Sequence, residues 1–235
     1  MDLSTQVRSL LLDAQADLVG FGDLTELPAA GRQGLPIGIS VAVKYPKQVI
    51  AGIAELPTPQ YYEYYNTINE QLDQMVSFCA EYLRSCGYKA IPQTLDYVDS
   101  FGLALSSPLP HKTVATRAGL GWIGKCALLV TKQFGSMIRL SSLLTDAPLD
   151  TAAPVDKSSC GSCTECVEAC PGGAVSGQQW YAGLERDSFF DAAACQKAAR
   201  ERALLGLGME RTVCGKCIVV CPFTRRYINK SGCDA

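Results

Sequence analysis

A single histidine, His111, is all the imidazole that this 235-residue chain contains. That scarcity excludes a His-rich zinc site, a bis-His haem and a Rieske centre, since each takes more than one histidine. An excess of charge of one sign is missing too. Lys and Arg total 21 against 23 Asp and Glu, a formal net charge of −2. Bulk charge therefore offers no basic footprint for a nucleic acid. No apolar run approaches the roughly 18 residues that span a bilayer. The opening residues, MDLSTQVRSLLLDAQADLVG, alternate polar and apolar and carry acids. They lack the basic start and unbroken apolar core of a signal peptide. The expectation is a cytoplasmic protein with no membrane and no nucleic-acid partner.

Cysteine, by contrast, is abundant: 12 residues, eight of them between Cys160 and Cys221. Gaps of two and three residues converge sulfurs on one centre, which favours metal over disulfides. The first run, CGSCTECVEACPG, places Cys160, Cys163, Cys166 and Cys170 ahead of Pro171. This is the C-x2-C-x2-C-x3-C-P run of bacterial two-cluster ferredoxins, in which the fourth cysteine ligates the other cluster. The second run, CGKCIVVCPF, supplies Cys214, Cys217 and Cys221 before Pro222, with Arg211 where a leading cysteine would stand. Crossed register then gives one 4Fe–4S cluster Cys160, Cys163, Cys166 and Cys221. The other takes Cys170, Cys214 and Cys217 and is one ligand short. Cys195, Cys233, Cys126, Cys86 and Cys79 are the candidates for the eighth, unless an iron stays open for substrate. Cys195 is favoured because it lies between the runs in FFDAAACQKAAR, a helical stretch able to fold back on the cluster. Zinc knuckles share the CxxC pairs but not the two crossed CxxxCP endings.

Ahead of the cysteines, helices and strands alternate, which predicts an α/β (α+β) domain over residues 1–150 and a two-cluster ferredoxin-like domain over 151–235. Helices are expected over Thr5–Leu18, about Tyr61–Ser85 ending at Gly87, and about Lys112–Ala118. Strands are expected over Ile37–Tyr45, Lys89–Ile91, Ala127–Thr131 and Ser136–Thr145. Asp146–Ser159 reads as a linker.

GLGWIG (Gly119–Gly124) matches GxGxxG, but it follows a helix rather than a strand, and no acid stands about 20 positions on after a second strand. As a dinucleotide fingerprint it is poor. AGLGWIGK (Ala118–Lys125), then LLV, GS and LLTDAPL (Leu143–Leu149), then the two cysteine runs, resembles the epoxyqueuosine reductase family, related to the reductive dehalogenases. The resemblance runs from about Pro108 to Pro222 and is weaker before that. It implies a nitroreductase-like N-terminal domain holding cobalamin, followed by the two-cluster module, and it supports Cys195 as the eighth ligand. On it, Gly119, Gly121, Trp122, Gly124 and Lys125 are the candidate cofactor-binding residues. The family's aspartate position falls on Leu105 and its glutamate position on His111, so the usual proton donor is missing from its place. The helical-repeat extension of full-length family members, which helps bind tRNA, is not in this sequence.

His111 opens HKTVATRAG and is either an ordinary first-turn residue or a proton donor in place of the absent acid, an imidazole pKa near 6.5 suiting that task. Tyr45, at a strand end, is the second catalytic candidate, against a core tyrosine. Asp96 and Asp99 are possible replacement acids or solvated loop residues. The resulting expectation is an iron–sulfur, cobalamin-dependent oxidoreductase, with flavin as the alternative cofactor. A donor such as ferredoxin or flavodoxin supplies electrons, and the acceptor is a small molecule or a corrinoid protein. A non-catalytic electron carrier or reductive activator is the alternative.

Overall fold

The computed structural model describes residues 2–103 and 105–230; Cys233 lies outside the described residues. In chain order come α1 (Leu3–Asp13), β1 (Leu18–Asp23), β2 (Ile37–Lys44), α2 (Lys47–Ala51), α3 (Pro59–Ser85), β3 (Ala90–Pro92), α4 (Leu95–Asp99), α5 (His111–Arg117), β4 (Trp122–Ile123), β5 (Leu129–Val130) and β6 (Ile138–Thr145). After them follow α6 (Glu165–Glu168), α7 (Ala192–Leu207), α8 (Lys216–Val220) and α9 (Pro222–Ile228). Among the described residues no helix is long and apolar enough to cross a membrane.

The chain divides into two compact units whose segments interleave. Met1–Val43, Asn66–Gly121 and Arg139–Asp156 make the first; Lys44–Tyr65, Trp122–Ile138 and Lys157–Ala235 make the second. The last boundary falls near the division expected at residue 150. The second unit, however, also draws in two earlier segments that carry almost no cysteine.

The first unit is built on a four-stranded sheet in the order β1-β2-β6-β3. β1 runs antiparallel to β2, from Leu18 opposite Ala42 to Asp23 opposite Ile37, and β3 runs antiparallel to β6. The helix expected over Thr5–Leu18 stops at Asp13, because Gln15 turns into the left-handed region (φ 73°) and Ala16 N–H closes back on Leu11 C=O at 3.0 Å. A non-glycine residue in that conformation leaves no sequence signal, and β1, which starts at Leu18, was not among the expected strands. Within β1, Gly20 and Gly22 let the end of α5 lie on the strand: a Cβ at Gly20 would sit 2.7 Å from Ala118 O, and one at Gly22 2.6 Å from the Arg117 carbonyl carbon. Leu24, Leu35, Leu109, Val114 and Leu144 form a core cluster on the α5 side. Burial of each is worth about 1.5–3 kcal/mol. Arg117, at the end of α5, is buried and donates to Val155 C=O at 3.1 Å and to the Asp156 carboxylate.

The second unit combines the β4-β5 ribbon with α6–α9 and a strap formed by Lys44–Tyr65. The strap is pinned by its backbone carbonyls: Lys216 Nζ donates to Ala54 C=O at 2.6 Å, and Arg202 donates to Glu55 C=O. Arg211, the residue standing in for a leading cysteine, donates from Nε to Tyr62 Oη at 2.8 Å. Gly206 in α7 lies so close to Pro57 that a Cβ would collide with its carbonyl oxygen.

Candidate metal centre

The short ribbon between β4 and β5 decides the geometry of the cysteine module. Gly124 N–H donates to Leu128 C=O at 2.8 Å and Ala127 N–H to Gly124 C=O at 2.9 Å, leaving Lys125, Cys126 and Ala127 as a three-residue loop. Ala127 takes the left-handed conformation (φ 59°), the form in which such loops close. A β-carbon there costs about 1–2 kcal/mol of strain, held in place by burial on all sides. The tip of this loop faces cysteines.

A cavity of ≈ 90 Å³ is walled by Cys160, Cys163, Cys166, Cys217 and Cys221 together with Gly124, Lys125 and Cys126. Three of these cysteines come from the first run and two from the second. Trp122 Nε1–H donates to Cys160 Sγ at 3.5 Å, and its ring meets Phe223 edge-on at 4.9 Å. Gly124 passes so near the wall that a Cβ would lie 2.8 Å from Val130 Cγ2 and 3.6 Å from Cys160 Sγ. Lys125 is buried, and its Nζ donates to Cys163 C=O at 2.8 Å. Among the described residues no carboxylate pairs with it; Glu165, the one carboxylate in the wall, is engaged by Arg225 at 3.3 Å. A buried ammonium needs an anionic partner, and the cysteines around this cavity would provide one as metal-bound thiolates. Among the described residues no three His, Cys, Asp or Glu side chains converge on one point as a single ion requires. The sulfurs surround a space.

A second group of thiols lies at Cys195 on α7. Burial first, then the nearness of Cys170 and Cys214, pushes the Cys195 thiol up to about 11. Cys170 Sγ accepts Ala174 N–H at 3.3 Å, a peptide donor of the kind that stabilises a cluster thiolate. The Cys166 thiol is also pushed up, by its hydrogen bond with Cys126 and then by burial; burial raises Cys221, next to Cys160. Cys126 is buried and lines the cavity with Cys166 and Cys217. Cys79 is buried in α3, and Cys86 is exposed just beyond the helix.

The other candidates fall elsewhere. Of the glycine motif, Gly124 and Lys125 line the cysteine cavity and Trp122 reaches Cys160 behind it, while Gly119 (φ 71°) closes α5 and Gly121 is buried in the first unit. The motif leaves a helix and enters a strand, the reverse of a dinucleotide site. Tyr45 is 1% exposed, with its ring 5.3 Å from that of Tyr61 and its N–H bonded to Met137 C=O at 2.9 Å. His111 Nδ1 lies 2.8 Å from Ser142 Oγ in the first unit. Burial, then the Arg139 guanidinium, lowers its pKa to about 4, so the ring is neutral at pH 7 and is not a standing acid there. Asp96 and Asp99 are exposed, as a solvated surface predicts, and Leu105 is 39% exposed with φ 58°. Sequence reasoning missed the strap; Cys126, one of the candidates for the eighth ligand, stands in the cavity wall. The strap has no cysteine to announce it, whereas Cys126 carried a visible signal, a thiol directly after GWIGK.

These features define a two-cluster iron–sulfur protein with a mixed α/β companion unit. Residues 159–224 match the family described as a 4Fe-4S double cluster binding domain. Over 169 residues the chain is 30% identical to the epoxyqueuosine reductase of Synechococcus sp. (strain CC9605), covering 72% of this chain and 49% of that one. The chain thus spans no more than half the length of the curated relatives it matches. In fold it is similar to an epoxyqueuosine reductase solved with an epoxyqueuosine-modified tRNA-Tyr stem loop, at TM-score 0.61 and 18% identity, covering 95% of this chain and 65% of that one. It is likewise similar to a reductive dehalogenase whose structure suggests a mechanism for B12-dependent dehalogenation, at TM-score 0.65 and 16% identity, covering 92% and 31%. The resemblance to epoxyqueuosine reductases seen in the sequence is borne out.

Proposed function

We propose that this chain is an iron–sulfur oxidoreductase that carries electrons through two 4Fe–4S clusters to a corrinoid used for reductive chemistry. The observation that carries this reading is the cavity wall in which Cys160, Cys163 and Cys166 stand with Cys221 from the other run. Cys170, Cys195, Cys214 and Cys217 are assigned to the second cluster. Bound there, the clusters supply one-electron transfer. The protein's own residues do the rest. Lys125 offsets thiolate charge and ties the Cys163 loop to the ribbon, Trp122 donates to Cys160, and Ala174 N–H donates to Cys170. Each donor favours the more reduced, more negative state of its cluster.

The corrinoid is assigned to the first unit, taken as a nitroreductase-like domain. The dehalogenase likeness supports it, as do two polar atoms buried in that unit with no hydrogen-bond partner among the described residues, Ser40 Oγ and Gln93 Nε2. A ligand offering polar groups satisfies such atoms. A carrier without chemistry of its own is the second reading. It is favoured by the exposed leucine at the family acid position and by a His111 that is unprotonated at neutral pH.

The test is anaerobic reconstitution, followed by iron, cobalt and flavin analysis, an absorption spectrum, and turnover with a small substrate or a modified tRNA stem loop. About eight irons with one cobalt retained after cobalamin is offered is the expected result. Clusters with neither cobalt nor flavin favour the carrier, flavin in place of cobalt overturns the corrinoid, and zinc in place of iron overturns the whole assignment.

A further inference from the structure

A near-neutral total charge conceals a strongly basic face on the second unit. Residues 44–54, 122–138 and 211–230 carry two, two and five Lys or Arg and no Asp or Glu, in a chain whose formal net charge is −2. Packing gathers much of this charge around three aromatic rings. Lys44 Nζ lies 5.5 Å from the ring centroid of Phe134, Lys47 Nζ 4.7 Å from that of Tyr227, and the Arg226 guanidinium 5.1 Å from that of Phe223. Phe134 and Tyr227 meet edge-on at 5.0 Å, and Lys47 also donates to Lys230 C=O at 3.3 Å. The strap, the segment after β5 and α9 are thereby joined in one surface. Arg225 is paired with Glu165 at 3.3 Å, whereas Lys132, Arg226 and Lys230 are exposed and enter no ion pair among the described residues.

The same face reaches the cysteine cavity. Pro222 and Phe223 belong to the cavity wall; Pro222 is exposed, and Phe223 is the ring beneath Arg226. One residue thus spans the distance from solvent to the space between the cysteines.

We propose that this basic face docks an acidic one-electron carrier protein, and that its electron enters past Pro222 and Phe223 into the cluster assigned to Cys160, Cys163, Cys166 and Cys221. The reduced carrier loses one electron and the cluster gains it; no bond forms or breaks. Like charges gathered on one face repel one another, and a partner rich in carboxylates relieves that repulsion. Transient redox encounters have small interfaces, so complementary charge acts chiefly on the rate at which partners meet and on their register. A nucleic acid would use the charge alone. The placing of the charge against the wall of a cluster cavity has a use only for a partner that delivers electrons.

The inference rests on the two-cluster reading, and the experiment keeps the two apart. Wild type, Lys132→Glu/Arg226→Glu and a control with the same change of charge, Lys197→Glu/Arg200→Glu at exposed positions of α7, are reconstituted anaerobically and analysed for iron. Bleaching of the clusters is then followed in stopped flow, with an acidic flavodoxin or an acidic ferredoxin, each pre-reduced, as donor. Binding of the oxidised carrier is measured separately by calorimetry. In Lys132→Glu/Arg226→Glu, both the second-order rate and the affinity should fall about tenfold or more at low salt, and the rate difference should close near 0.5 M salt. The control should stay within about twofold of wild type. Reduced methyl viologen, a small cation, should reduce all three proteins, the reversed variant no more slowly than wild type. Equal slowing in the two variants would leave only bulk charge and overturn the proposal. So would unchanged rates in Lys132→Glu/Arg226→Glu, or a wild type that viologen reduces but neither carrier does. Loss of binding to a tRNA stem loop with carrier kinetics intact would give the face to a nucleic acid, which also overturns it. A wild type that holds far fewer than about eight irons would instead sink the two-cluster reading.

Discussion

Acidification puts the burial of His111 to a direct test. In the unfolded chain a histidine takes up its proton near 6.5. In the folded chain His111 does so only at about 4, because burial, then the nearby Arg139 guanidinium, penalises the imidazolium. The unfolded state binds the extra proton throughout this window, so stability falls as the pH falls. The contribution of the neutral ring is intact above 6.5, is lost progressively between 6.5 and about 4, and changes no further below that. The gap amounts to about 3 kcal/mol at one unit per 1.36 kcal/mol. Since the chain contains a single histidine, one imidazole resonance in a nitrogen-edited NMR titration belongs to His111 without assignment. It should stay that of a neutral ring until the pH nears 4. Denaturant midpoints of wild type and His111→Gln, compared at matched pH, should then diverge across the same window, the wild type losing about 3 kcal/mol more. The comparison cancels acid effects on the clusters, which both proteins share. A midpoint near 6.5, or superimposable acid profiles, would refute the account and return His111 to the candidates for a proton donor at neutral pH.

Gly135 has φ 60°, and a Cβ there would run into the backbone of Thr224, two residues after Pro222. Gly135→Ala should lower stability by about 2–4 kcal/mol and disturb Cys221, seen as reduced iron content; unchanged denaturation would contradict the contact. Trp122→Phe keeps a ring against Phe223 but removes the donor to Cys160 Sγ. A downward potential shift confined to one cluster is expected in redox titration, and equal shifts in both would argue against it. For Cys195→Ala, iron analysis should fall from about eight toward about four per chain, with the other EPR signal intact. Full iron retention would move the eighth ligand elsewhere.

Much of the cysteine module was legible because its information is local. A thiolate every third residue followed by proline specifies a cluster-binding loop wherever it occurs, and Cys170 and Cys221 announce the crossover by sitting four residues past their neighbours. The long helix α3 and the strands β2 and β6 showed equally well, since apolar patterning over eight or more residues outweighs its exceptions. β1 did not, since its start depends on the left-handed Gln15, which chain chemistry does not favour. The glycine motif misled in part: its form is that of a ligand loop, yet Gly124 is glycine because Val130 crowds it.

By itself, then, the sequence determined that there would be iron–sulfur chemistry, which cysteines could take part, and that no second histidine would share in it. Only the tertiary structure decided which residues stand behind the thiolates. Lys125 and Cys126 reach the cavity, and Trp122 reaches Cys160, from 34 to 38 residues before Cys160 in the chain. The strap at Lys44–Tyr65 reaches α7 and α8 from farther still. Such contacts are fixed by close packing between distant segments, where backbone carbonyls and single methyl-sized gaps choose the partner. No local pattern encodes that choice.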